Sequence, residues 1–135
     1  MTTLYLLDTD TCAFVLRRTS DVLLERIQAV PLGQQAMSVV TYAELLYGVQ
    51  LSSKKKANQA AVDALAHHLA VLDWPRDAAF HHAQIRADLK KRGAVLGAND
   101  LLIAAQALSL GAVVVTNNTK DFTRVKGLVV ENWIK

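Results

Sequence analysis

Apolar residues fall along this chain in two rhythms. Short, largely apolar runs at Leu4 to Leu7, Ala36 to Val40, Val71 to Trp74, Ala112 to Val115 and Leu128 to Val130 have the length and residue types of buried strands. Longer segments between them carry helix formers at helical spacing, predicting helices over Thr11 to Arg18, Asp21 to Ala29, Thr41 to Gln50, Ala57 to Leu69, Asp77 to Arg92 and Asn99 to Leu110. Pro31 and Gly33 break the chain, Pro75 ends the third strand, and Ser52 to Lys56 is a polar, basic connector. Ala61, Leu65, Leu69 and Leu72 share one stripe. Lys and Arg in the last turn before Gly93 supply a helix stop. The segment closed by Gly111 is apolar nearly all round and has to be buried. Strands apolar on both faces, separated by helices, predict an α/β fold with a mostly parallel sheet covered on both sides.

Composition narrows the classes. A chain of 135 residues fits one domain, residues 1 to 135, with a core that needs no staples. With 52% hydrophobic and 20% charged residues it is too apolar to be disordered. The lone Cys12 excludes a disulfide framework and reads as a small buried hydrophobe. No apolar run approaches the roughly 20 residues that span a bilayer, and the first residues lack the pattern of a secretory signal, so a soluble, cytoplasmic protein without a membrane partner is expected. Fifteen Lys and Arg against twelve Asp and Glu give a net charge of +3, compatible with a polyanionic partner without specifying one.

The acids change the picture. In open α/β sheets the ligand site lies beyond the carboxyl ends of the strands, and four acids map to that edge. Asp8 ends the first strand, Glu44 follows the second, Asp100 opens the buried helix, and Asp121 follows the valine strand in "TNNTKDF". Each has a structural reading. Asp8, Asp10 and Thr11 suit a helix N-cap, Thr41 to Glu44 has capping-box spacing, Asn99 and Asp100 fit a cap and a first-turn acid, and Asp121 suits a turn. Capping does not explain why all four meet at one edge. Converging carboxylates need a cation or raised pKa values, and hard oxygen ligands favour Mg²⁺ or Mn²⁺.

The stretches "LLDTDTCAF", "VVTYAELLYGV", "GANDLLIAAQALSLGAVVVTNNTKDFTRVKGL" and "VENW" resemble a PIN-domain ribonuclease of the VapC toxin group over essentially the whole chain. The resemblance implies a three-layer α/β/α fold with a central mostly parallel sheet of about five strands, a Mg²⁺-dependent endonuclease activity on RNA, dimerisation, and inhibition by a cognate VapB antitoxin. Carried over by residue, it makes Asp8, Glu44, Asp100 and Asp121 catalytic. The same resemblance implies that Asp8 and Asp100 are direct metal ligands and that Glu44 and Asp121 act directly or through water. Two positions depart: Asn118 stands where many relatives have an acid, leaving Asp121 as the nearest carboxylate, and Asp10 stands where Asn is usual. Thr9, Thr116, Asn117 and Asn118 lie on the same predicted rim as supporting groups. The implied partners are RNA, tRNA among the candidates, an antitoxin, a second copy of the chain in a larger toxin–antitoxin complex, and operator DNA only through the antitoxin.

Basic residues cluster at Arg17 and Arg18, Lys54 to Lys56, Lys90 to Arg92, and Lys120, Arg124 and Lys126, where those nearest the acids would grip an RNA backbone. His67, His68, His81 and His82 lack ligand spacing and read as surface or packing residues. Two competing readings use the same strand-end acids: a phosphoacceptor receiver domain with Asp73 as acceptor and Thr116 as switch, and a noncatalytic PIN-like scaffold.

Overall fold

Every strand pair in the computed structural model, which describes residues 2–18 and 20–135, is parallel. The sheet comprises β1 (Tyr5–Leu7), β2 (Gln35–Ser38), β3 (Ala70–Leu72), β4 (Val113–Val115) and β5 (Val130–Glu131), in the order β3-β2-β1-β4-β5. Two helices cross over between β1 and β2, α1 (Thr9–Arg17) and α2 (Asp21–Ala29). Two more join β2 to β3, α3 (Val39–Leu51) and α4 (Lys55–His68), and two join β3 to β4, α5 (Ala78–Lys91) and α6 (Ala98–Leu110). The short α7 (Thr119–Phe122) leads to β5.

Alternation along the strands builds the three expected layers. Leu6, Ala36 and Val114 point into one core with Ile85 and Leu89 of α5, Ile103 and Ala104 of α6, and Phe122. Their neighbours Leu7, Met37 and Val115 point into the other, with Cys12, Leu23, Ile27, Leu45, Val49, Val62, Leu65 and Trp133. Cys12 is the buried hydrophobe expected. Helix α6 buries Leu101, Ile103, Ala104, Ala105, Gln106 and Ala107 and ends in a left-handed Gly111 at φ 64°, a conformation a side chain would strain.

Several details differ from the sequence expectation. The second strand stops at Ser38 and not Val40, because the Ser38 hydroxyl accepts from Val40 N at 3.0 Å and caps α3, which starts at Val39, two residues earlier than predicted. That overturns the Thr41 to Glu44 capping box: Thr41 is buried inside the helix, and Glu44 is free to face elsewhere. Gly97, not Asn99, is the N-cap of α6. On α4 the buried stripe runs through Val62 and Leu65 while Ala61 is exposed. The fifth strand lies at Val130–Glu131, beyond the predicted Leu128 to Val130, and "TNNTKDF" holds the short helix α7 where only a turn was expected. Among the described residues no helix is long and apolar enough to cross a membrane.

Candidate active site

Strand order 3-2-1-4-5 places the topological switch point between β1 and β4, where crossovers leave in opposite directions and open a crevice at the carboxyl ends. Asp8 sits at that point. Its backbone N–H donates to Val115 O at 3.0 Å, continuing the strand pairing, while its carboxylate accepts from Thr11 N at 2.8 Å as the N-cap of α1. The Thr11 hydroxyl donates to Val115 O at 3.0 Å, pinning the first turn of α1 to β4. Asp8 is only 2% exposed, and its pKa is pushed up to about 6, chiefly by burial, with the Asp10 charge adding a little. Hydrogen bonds from Thr116 and Thr11 hold it below what burial alone would set.

Glu44 projects from the second turn of α3 toward the same rim. Thr9 Oγ1 donates to Glu44 Oε1 at 2.6 Å and lies 3.2 Å from the buried Thr41 hydroxyl, so α1 orients an acid of α3. Asp100, half-buried in the first turn of α6, has a raised pKa; desolvation is the main cause, followed by the charges of Glu44, Asp121 and Asp10. Asp121, inside the short α7, accepts from Asn118 Nδ2 at 2.7 Å and pairs with Arg124 at 3.4 Å. The Asn118 N–H in turn donates to the buried Thr116 hydroxyl at 2.9 Å. Thus Glu44 and Asp121 lie near enough to Asp100 for their charges to raise its pKa, and Asp8 stands at the end of the neighbouring central strand.

Asp10 belongs with them. It is not the cap of α1, since Asp8 is, and its exposed carboxylate raises the pKa of both Asp8 and Asp100. Of the supporting residues, Thr9, Thr116 and Asn118 bind the acids or each other, whereas Asn117 accepts from Asn132 Nδ2 at 3.3 Å and serves the C-terminal segment. Sequence patterns gave no hint of the Thr11 and Thr41 contacts, because both are long-range bonds made by residues buried in helices. Asp73, the acceptor of the receiver reading, lies exposed after the edge strand β3, away from these acids.

The donor set is all oxygen. Among the described residues no three His, Cys, Asp or Glu side chains are gathered closely enough to enclose an ion. Oxygen donors are the type a hard divalent cation takes, and the pKa values of Asp8 and Asp100 are raised mainly by burial, with the neighbouring carboxylates adding to the shift. Two surface clefts meet at Glu44. One is lined by Thr9, Leu16, Arg17, Gly48 and Val62 between α1, α3 and α4, and the other by Val40, Tyr47, Asn99 and Leu102 between α3 and α6.

Known proteins share this fold. The PIN domain model matches residues 5–128. A ribonuclease VapC2 of Rickettsia felis is 35% identical over 133 residues, covering 98% of this chain and 99% of its own. A tRNA(fMet)-specific endonuclease VapC of Salmonella typhimurium is 38% identical over 129 residues, covering 96% and 97%. In the crystal structure of VapBC2 from Rickettsia felis bound to a promoter DNA fragment, a chain with 34% identity superposes with a TM-score of 0.92, covering 97% of this chain and 99% of that one. With a family model spanning nearly the entire sheet and full-length relatives of this similarity, the chain belongs to the PIN-domain family, in its VapC ribonuclease group.

Proposed function

We propose that this protein is a Mg²⁺-dependent endoribonuclease, the toxin of a VapBC-type toxin–antitoxin module acting in the cytoplasm. The observation that carries the proposal is Asp100, set on a buried helix and pressed by the charges of Glu44, Asp121 and Asp10 beside the switch point that Asp8 occupies. Capping accounts for Asp8 alone. Asp8 and Asp100 would hold Mg²⁺, with Mn²⁺ as a substitute, and Glu44 and Asp121 would contribute directly or through water. The cation, when bound, supplies positive charge to the scissile phosphate and acidifies water.

The chain's own groups do the rest. Glu44, fixed by Thr9, is oriented to accept the hydrogen of an attacking water, so the water reaches phosphorus with a lone pair forward. Thr116 holds Asp8 ionised, and Asn118 aims Asp121. Arg17, at the mouth of the cleft beside Glu44, is placed to grip an RNA backbone. The Salmonella typhimurium relative is named for tRNA(fMet), which makes tRNA the substrate class to try first. The antitoxin partner follows from the VapBC complexes, and a peptide segment lying in the apolar cleft between α1, α3 and α4 would close the approach to Glu44. A homodimer within a larger complex, touching operator DNA only through the antitoxin, completes the reading.

The test uses the purified chain with total cellular RNA. Cleavage in Mg²⁺, none in EDTA, and none by folded Asp8→Asn or Asp100→Asn are expected. Equal cleavage by those variants, or an inert metal-loaded wild type, would overturn the proposal.

A further inference from the structure

A polar chain leads from the far end of α5 to Asp8. Asp88 accepts from Arg92 Nε at 2.9 Å, with Lys126 3.4 Å away. The Arg92 guanidinium donates to the backbone carbonyl of Arg124. The Arg124 guanidinium then does two things at once: it donates to Val95 O at 2.6 Å, in the loop between α5 and α6, and pairs with Asp121 Oδ1 at 3.4 Å, inside α7. From Asp121 the chain continues through Asn118 to Thr116 and Asp8.

The Val95 loop leads into Gly97, the N-cap of α6, three residues before Asp100. Ala94 and Leu96 tuck into the core on either side while Val95 is 75% exposed, so beside the Arg92 bond at the loop's start, the Arg124 guanidinium is what ties the middle of this loop toward α7. Both contacts come from one nitrogen, Nη1, whose N–H directions the planar guanidinium fixes, whereas a lysine ammonium rotates freely at the end of a flexible stem and fixes no such direction.

We propose that Arg124 is a positioning residue: by tying the Val95 carbonyl and Asp121 together, it sets the first turn of α6, and so Asp100, against α7. The inference rests on the endoribonuclease reading for its catalytic meaning. Its geometric content does not depend on that reading. Arg124 acts through Asp100 and Asp121 and does not itself contact RNA.

The test compares wild type, Arg124→Lys and Asp121→Asn as full-length chains. In EDTA, Arg124→Lys speeds hydrogen exchange of the amides from Gly93 to Leu101 about tenfold, the loss expected for a charge-assisted bond. Asp121→Asn speeds that exchange less than Arg124→Lys does, because the Val95 limb of the tie survives. With Mg²⁺ alone as the probe, Arg124→Lys binds roughly tenfold more weakly, in the range seen when a supporting shell is lost. With RNA, kcat falls and KM stays constant. Wild-type exchange rates in Arg124→Lys would overturn the inference, as would a rise in KM with kcat and Mg²⁺ affinity intact, which would make Arg124 a phosphate contact. Failure of wild type to cleave RNA would instead sink the enzymatic reading while leaving the exchange result to judge the tie.

Discussion

Replacing Asp8 by Asn should stabilise the protein in EDTA, and the effect should vanish in acid. Asp8 carries a pKa pushed from 3.8 to about 6, mainly because its ionised form is buried at the switch point. The folded state therefore holds this proton more tightly than the unfolded chain does. A shift of about 2 units at 1.36 kcal/mol each makes ionised Asp8 cost about 3 kcal/mol of folding stability above the folded-state pKa. Below about pH 4 the group is protonated in both states and the cost is gone; it grows as pH rises from there to about 6 and is complete beyond. Asparagine keeps the contact to Thr11 N, since Asn and Asp cap helices about equally well, and it never ionises. The raised pKa of Asp100 acts in the same direction but is common to both proteins and cancels. At about 4 °C per kcal/mol for a chain of this size, Asp8→Asn should melt roughly 10 °C higher near neutral pH in EDTA and at nearly the same temperature near pH 4. Denaturant unfolding with circular dichroism across that pH range measures both limits. A variant less stable than wild type at neutral pH, or a difference that does not change with pH, would refute the reasoning and leave Asp8 as a capping residue alone.

Three further outcomes are expected. Mg²⁺ at about 100 times its dissociation constant should raise wild-type stability by about 2.7 kcal/mol and leave Asp8→Asn unmoved, narrowing or reversing their order in a thermal shift assay. Thr9→Val removes the 2.6 Å bond that orients Glu44 and should lower kcat about 10- to 100-fold while costing only about 1 kcal/mol of stability, which steady-state cleavage and chemical denaturation resolve. Phe122→Ala empties a fully buried site beneath α7 and should cost about 3–5 kcal/mol, read from the denaturant midpoint.

The layers were legible because their signal is dense and local. Leu4 to Leu7 and the valine run show strand character without reference to anything else, and α6 betrays its burial by carrying apolar residues on all sides. The switch-point acids were legible for a similar reason, since each follows a recognisable strand or opens a recognisable helix. What escaped was decided by single long-range bonds. Glu44 has capping-box spacing, yet Ser38 captures the cap first, and only Thr9, 35 residues away in sequence, shows where Glu44 turns. Asp10 stayed ambiguous because spacing cannot separate a first-turn acid from a member of a charge cluster; its effect on both Asp8 and Asp100 can. Arg124 looked like one more surface cation, and nothing in "DFTRVKGL" says that its head reaches Val95.

The sheet ends on both sides in very little. The edge strand β3 has three residues and β5 has two, so a neighbouring chain seeking to extend the ladder finds only a few backbone groups to pair with. Such short margins disfavour open-ended stacking of copies and strand addition by a partner. Whatever binds this protein, a second copy or an inhibitor, is thereby steered to its helical faces and the clefts between them. That is also where the approach to the acids lies, so the geometry that guards against aggregation and the geometry that permits control are one and the same.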